Sequence, residues 1–118
     1  MARVLIVEDD LRQRELYREV LRAGGHEVIE ARNGLEGIEL LKTDPALVLL
    51  DMMMPAANGL EFLEKLHASD AHKSLPVIVI SGAATEEWAV RGGANYYLTK
   101  PVDVRVLAEL VNGVVRRT

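Results

Sequence analysis

A chain of 118 residues, with 14 lysines and arginines against 18 aspartates and glutamates, carries a formal net charge of −4. That length suits a single domain over residues 1–118, and the acidic balance lacks the basic stripe that direct nucleic-acid binding needs. The lack of cysteine excludes disulfides, thiolate metal sites and cysteine nucleophiles, and the apolar start Val4–Val7 is too short for a signal peptide or membrane span, so a soluble cytoplasmic protein is expected.

Short β-rich runs alternate with segments of helical period. The predicted strands are Val4–Val7, Glu27–Glu30, Leu47–Leu50, Val77–Ile80 and Tyr96–Leu98. The first, third and fourth are continuously apolar, as strands buried on both faces of a parallel sheet are. Glu27–Glu30 has charged ends and reads as an edge. The first helix starts at the cap Asp10, with Gln13 three residues on to complete a capping box. Asn33 with Glu36, and Asn58 with Glu61, repeat the arrangement for the second and third helices. Thr85 and Asp103 are caps for the fourth and fifth, and Gly24-Gly25 and Gly92-Gly93 read as helix ends. In the last helix Val104, Leu107, Val111, Val114 and Val115 share one face, while Gly113 weakens its final turn.

This alternation implies right-handed crossovers and one doubly wound α/β domain, a (βα)5 flavodoxin-like parallel sheet in the order 2-1-3-4-5. In such a sheet the carboxyl ends of the strands share one edge, where ligands bind. Glu8 and Asp9 follow the first strand, Asp51 ends the third, and Lys100 follows the fifth. Carboxylates crowded at this edge repel one another, each pair by about 3 kcal/mol at an effective dielectric of about 20. A divalent cation relieves that repulsion. Oxygen ligands from one or two carboxylates, a backbone carbonyl such as that of Met53, and water suit Mg²⁺. The cation and the Lys100 ammonium would together receive an anionic phosphoryl group. Ser81 either begins a turn or donates a hydroxyl to a phosphoryl oxygen. His26, His67 and His72 are scattered in polar surroundings, which argues against a histidine metal site.

The motifs Val-Leu-Ile-Val-Glu-Asp-Asp, Leu-Val-Leu-Leu-Asp-Met-Met-Met-Pro-Ala-Ala-Asn-Gly, Val-Ile-Val-Ile-Ser-Gly and Gly-Gly-Ala-Asn-Tyr-Tyr-Leu-Thr-Lys-Pro are specific in combination. With them the chain resembles, over essentially its whole length, the receiver domain of two-component response regulators. The resemblance implies a phosphoaspartate switch, not an enzyme, in which Asp51 accepts a phosphoryl group from the phosphohistidine of a histidine kinase or a histidine phosphotransfer protein. Asp9, Asp51 and the Met53 carbonyl would bind Mg²⁺ directly and Glu8 through water. Lys100 would pair with the phosphoryl group, Ser81 would swing toward it, and Tyr97 would turn inward in step. The Lys100–Pro101 bond is expected to be cis. The downstream output partner, or a fused output domain, stays undefined by the sequence.

One departure from the family pattern concerns the stretch from Ser81 to Lys100, shorter than usual by roughly three residues, close to one helical turn. It predicts a shortened fourth helix, with Trp88, Ala89 and Val90 as its only apolar group. Three other readings compete. An aspartate-nucleophile phosphatase would carry a second acid where this chain has Met53. A flavodoxin-like cofactor carrier would set an anionic flavin phosphate against an acidic crevice. A receiver-like interaction module without phosphorylation would be expected to lack one of the acid, serine and lysine positions that are all present here.

Overall fold

The computed structural model describes residues 2–51, 56–82 and 94–117. Five parallel strands, β1 (Arg3–Val7), β2 (Glu27–Ala31), β3 (Leu47–Asp51), β4 (Val77–Ser81) and β5 (Tyr96–Thr99), form one sheet in the order β2-β1-β3-β4-β5. The expected order holds; β1 ends at Val7 as predicted and starts one residue earlier, while β2 to β5 each run one residue further at the carboxyl end. That extension brings Asp51 and Ser81 inside the sheet rather than after it. Among the described residues no helix is long and apolar enough to cross a membrane.

Alternation along the strands divides the core in two. Leu5, Val7, Val48, Leu50, Val77 and Val79 pack on one face with Phe62, Leu63 and Leu66 of α3 (Ala56–Ala68). Val4, Ile6, Leu47, Leu49, Ile78 and Ile80 pack on the other with Tyr17 and Leu21 of α1 (Leu11–Ala23). The same layer takes in Leu107, Val111 and Val114 of α4 (Val104–Arg117). Helices on both faces explain why the central strands are apolar at every position. Each fully buried aliphatic side chain there contributes about 1.5–3 kcal/mol. In the same layer as α3, α2 (Gly34–Leu40) lies so close that a Cβ on Gly37 would stand 2.9 Å from Phe62 Cε1 and 3.0 Å from Val7 Cγ2.

The helix caps refine the sequence reading. Asp10 Oδ1 accepts from the backbone N–H of Arg12 at 2.8 Å and of Gln13 at 3.1 Å, as expected of a cap. Gln13 does not close the box. Its side chain meets Tyr17, and the Asp10 N–H is taken by Glu8 Oε2 at 3.0 Å instead. Asn33 caps α2 through the Glu36 N–H at 2.8 Å, but Glu36 Oε1 reaches back to the Arg32 N–H, one residue earlier than a capping box requires. Asn58 is not a cap, because α3 begins at Ala56 and Asn58 stands inside it. Asp103 does cap α4, accepting from the Arg105 N–H at 2.8 Å. The end of α1 is a Schellman turn: His26 N–H donates to Leu21 O, Gly25 N–H donates to Arg22 O, and Gly25 takes φ +84°. Thr85, the shortened fourth helix and Gly92-Gly93 lie outside the described residues.

Two further expectations change. Val104 is 39% exposed because it stands at the very start of α4, and Val102, just before the helix, packs against the core instead. His26 is buried rather than in polar surroundings. It accepts the Ala2 N–H at Nδ1 (3.2 Å), and its Nε2 lies 2.8 Å from Asn112 Oδ1. Gly113 sits in helical backbone, and apart from its chain neighbours and its own helix backbone nothing lies within 4 Å of the position a Cβ would take. Gly113→Ala is therefore expected to stabilise the fold by about 1 kcal/mol, raising the thermal midpoint by about 3–5 °C. An unchanged or lowered midpoint would contradict open space at that turn.

Candidate phosphoryl-acceptor site

Asp51 is the last residue of β3 and stands in register with Ile80 of β4, one position before Ser81. Its parity follows Leu47 and Leu49, so its side chain belongs to the layer that holds α1 and α4. It is 1% exposed. Two donors meet one of its oxygens: Lys100 Nζ lies 2.9 Å from Oδ2, and the Tyr17 hydroxyl donates to Oδ2 at 2.9 Å. Lys100 arrives there because β5 ends one residue earlier, its own N–H donating to Ser81 O at 2.8 Å. The Lys100–Pro101 bond is cis, as expected.

Glu8, one residue past β1, is fully buried beside Asp51. Its Oε2 accepts the Asp10 N–H, while its Oε1 is buried without a hydrogen-bond partner. Burial first, and then the neighbouring Asp51 carboxylate, push the Glu8 carboxyl up to about 9; the Asp10 N–H opposes this only in part. Arg14 fixes the backbone at this point, donating from Nη1 to Glu8 O at 2.9 Å while its Nε meets Glu30 at 3.3 Å. Burial and the Asp51 charge likewise raise the Tyr17 phenol, so it remains a hydrogen-bond donor.

Asp9 is exposed next to this pair, and Met53 lies outside the described residues. Among the described residues no three acidic or histidine side chains form a ready-made metal cluster. The donors nonetheless fit Mg²⁺, which keeps several waters and takes only one or two carboxylates. Glu8 Oε1 is an orphaned buried oxygen, and a cation is one of the few groups that can satisfy it without carrying a proton.

Ser81 is 1% exposed at the end of β4 and shares the parity of Val77 and Val79, on the α3 side of the sheet. Tyr97 packs against that same layer, and its hydroxyl donates to Gly82 O at 2.8 Å. The carboxyl ends of β4 and β5 are thus tied to each other twice, through Lys100 N–H to Ser81 O and through the Tyr97 hydroxyl to Gly82 O. Sequence reasoning placed Glu8, Asp51 and Lys100 together correctly. It missed Tyr17. No one-dimensional signal marked it, since Tyr17 lies one helical turn before Leu21 on an apolar stripe, where a tyrosine reads as core.

The model of the response regulator receiver domain matches residues 4–112. Among relatives, the chain is 36% identical to protein PilH of Pseudomonas aeruginosa, covering 98% of each. It is also 36% identical to the polar-differentiation response regulator DivK of Brucella anthropi, over 92% of this chain and 91% of the relative. Two solved structures superpose closely. The signal receiver domain of a histidine kinase from Syntrophus aciditrophicus gives a TM-score of 0.90 at 30% identity, over 100% of this chain and 92% of the other. A CheY-like receiver domain protein from Methanospirillum hungatei gives 0.87 at 30% identity, over 99% and 95%. The chain belongs to the receiver domain family of two-component response regulators.

Proposed function

We propose that residues 1–118 act as one phosphoaspartate switch, in which Asp51 accepts a phosphoryl group from the phosphohistidine of a cytoplasmic histidine kinase or phosphotransfer protein. The observation that carries this reading is a carboxylate 1% exposed at the carboxyl end of the central strand, with Lys100 Nζ at 2.9 Å. A buried acid at that edge is costly unless its charge is used. Glu8, Asp9, Asp51 and the Met53 carbonyl would hold Mg²⁺, which lets an anionic donor approach an anionic acceptor and neutralises charge on the transferring oxygens. The protein promotes only its own phosphorylation and the loss of that group, so it is not an enzyme with an external product.

Transfer adds roughly one to two negative charges to the pocket. Lys100 meets part of that charge. Ser81 lies on the other side of the sheet by parity, so its hydroxyl reaches a phosphoryl oxygen as the loop after β4 moves toward β3. Because Ser81 O and Gly82 O at the end of β4 are bonded to Lys100 N–H and to the Tyr97 hydroxyl, the movement is passed to β5 and to the surface that Tyr97 abuts. Reversing a strongly inactive population takes on the order of 5 kcal/mol, close to what one ion pair and one charge-assisted hydrogen bond supply. A downstream partner or fused output domain would read this outer surface.

The test is to mix the protein with Mg²⁺ and beryllofluoride or acetyl phosphate. The expected result is an adduct at Asp51, with NMR shifts spreading from Ser81 to Tyr97. Ser81→Ala should keep the adduct but lose most of the shifts near Tyr97. Absence of any adduct on Asp51 would overturn the proposal.

A further inference from the structure

Tyr17 is fully buried on α1, and its hydroxyl shares Asp51 Oδ2 with Lys100, each at 2.9 Å. A phenylalanine would fill the same apolar layer without burying a hydroxyl, so packing alone does not account for a tyrosine here. Gln13 Oε1 lies 3.1 Å from the same hydroxyl. One phenolic proton cannot serve two acceptors. The charged carboxylate takes it, and the Gln13 amide is then turned to donate its NH₂ to the phenol oxygen.

We infer that Tyr17 is a further residue of the phosphoryl site, whose hydroxyl shortens the life of phosphorylated Asp51 by stabilising it as a leaving carboxylate. The inference rests on Asp51 being the acceptor. With Oδ2 held by two donors, the phosphoryl group is carried by Oδ1, and Oδ2 becomes a neutral carbonyl oxygen. In hydrolysis a water oxygen attacks phosphorus in line, and the bond from phosphorus to Asp51 breaks. Its electron pair returns to the carboxylate, the water proton passes to solvent, and inorganic phosphate leaves.

Phosphoryl transfer runs through a loose transition state in which the bond to the leaving oxygen is largely broken. Carboxylate charge has therefore mostly returned to Asp51 at that point. A hydrogen bond to a charged oxygen is roughly twice as strong as one to a neutral oxygen. The Tyr17 bond is accordingly stronger in the transition state than in the acyl phosphate, and hydrolysis is accelerated. Uptake differs. The carboxylate starts charged and is still largely charged in the transition state, so the same bond changes the forward rate little.

Tyr17→Phe keeps the ring and removes only the hydroxyl. It should lengthen the half-life of the acyl phosphate by about threefold to tenfold, while uptake from acetyl phosphate changes by less than about twofold. Gln13→Leu, at a half-buried position that only polarises the phenol, should lengthen the half-life by a smaller factor. In metal-free protein, the ¹³C resonance of the Asp51 carboxyl should move in Tyr17→Phe while the backbone spectrum away from α1 stays in place. An unchanged or shortened half-life, with wild-type adduct forming normally, overturns the inference and spares the acceptor reading. Uptake and decay altered by equal factors also overturn it, since a purely structural role does that. Wild-type protein that forms no adduct on Asp51 overturns both.

Discussion

An Asp51→Asn protein is expected to remain folded and to take up no acid-labile phosphoryl group. The amide oxygen can still accept from Lys100 and Tyr17, which now lie 2.9 Å from Asp51 Oδ2, so the contacts that bind α1 and β5 to the end of β3 survive the change. The chemistry does not. A neutral amide is a poor nucleophile, and the mixed carboxylic–phosphoric anhydride cannot form from it. The substitution also removes the negative charge that faces Glu8, so the metal-free protein should not be destabilised by more than about 1 kcal/mol. Phosphate incorporation from acetyl phosphate, followed by intact mass measurement, tests this directly. Persistent incorporation in Asp51→Asn would place the acceptor at another residue and would sink the reading of β3 as the phosphoryl strand.

Much of this arrangement was legible from the chain because the relevant signals are one-dimensional. Continuous apolar runs at Val4–Val7, Leu47–Leu50 and Val77–Ile80 mark strands covered on both faces, and the residue just after each run falls on the ligand edge. Glu8, Asp51 and Ser81 follow from that rule alone, and Lys100 follows from its place two residues after the weaker Tyr96–Leu98 run. What was not legible depends on side chains choosing between partners. Gln13 has the spacing of a capping box but meets Tyr17, and Glu8, two residues before the cap, takes the Asp10 N–H instead. Asn58 has the composition of a cap, yet α3 starts two residues earlier. Tyr17 escaped notice because a tyrosine on an apolar helical stripe reads as core. Core is where it sits; only the position of Asp51 in three dimensions reveals that its hydroxyl has a second use.

Glu8→Gln is expected to stabilise the metal-free protein and to abolish most of its response to Mg²⁺. In the native fold the Glu8 carboxyl is pushed from its ordinary value of 4.5 up to about 9, chiefly by burial and then by Asp51. Below pH 4.5 both folded and unfolded chains hold the proton, and Glu8 costs nothing. Between pH 4.5 and about 9 the unfolded chain releases that proton while the folded one keeps it, so stability falls as pH rises through this window. Glutamine retains an oxygen for the Asp10 N–H and places no charge beside Asp51. The variant should therefore be more stable than wild type at pH 7–8 without metal, by on the order of 4 kcal/mol, with a flatter stability profile from pH 5 to 8. Magnesium reverses the order. A cation favours ionised Glu8 and stabilises wild type by mass action, whereas the amide presents one fewer charge and gains less. Urea denaturation at pH 5 and pH 8, each with chelator and with excess Mg²⁺, separates these effects. Equal slopes of stability against pH in the two proteins would show that Glu8 is ionised in the native fold without help, and the buried carboxylate pair would then need another source of positive charge.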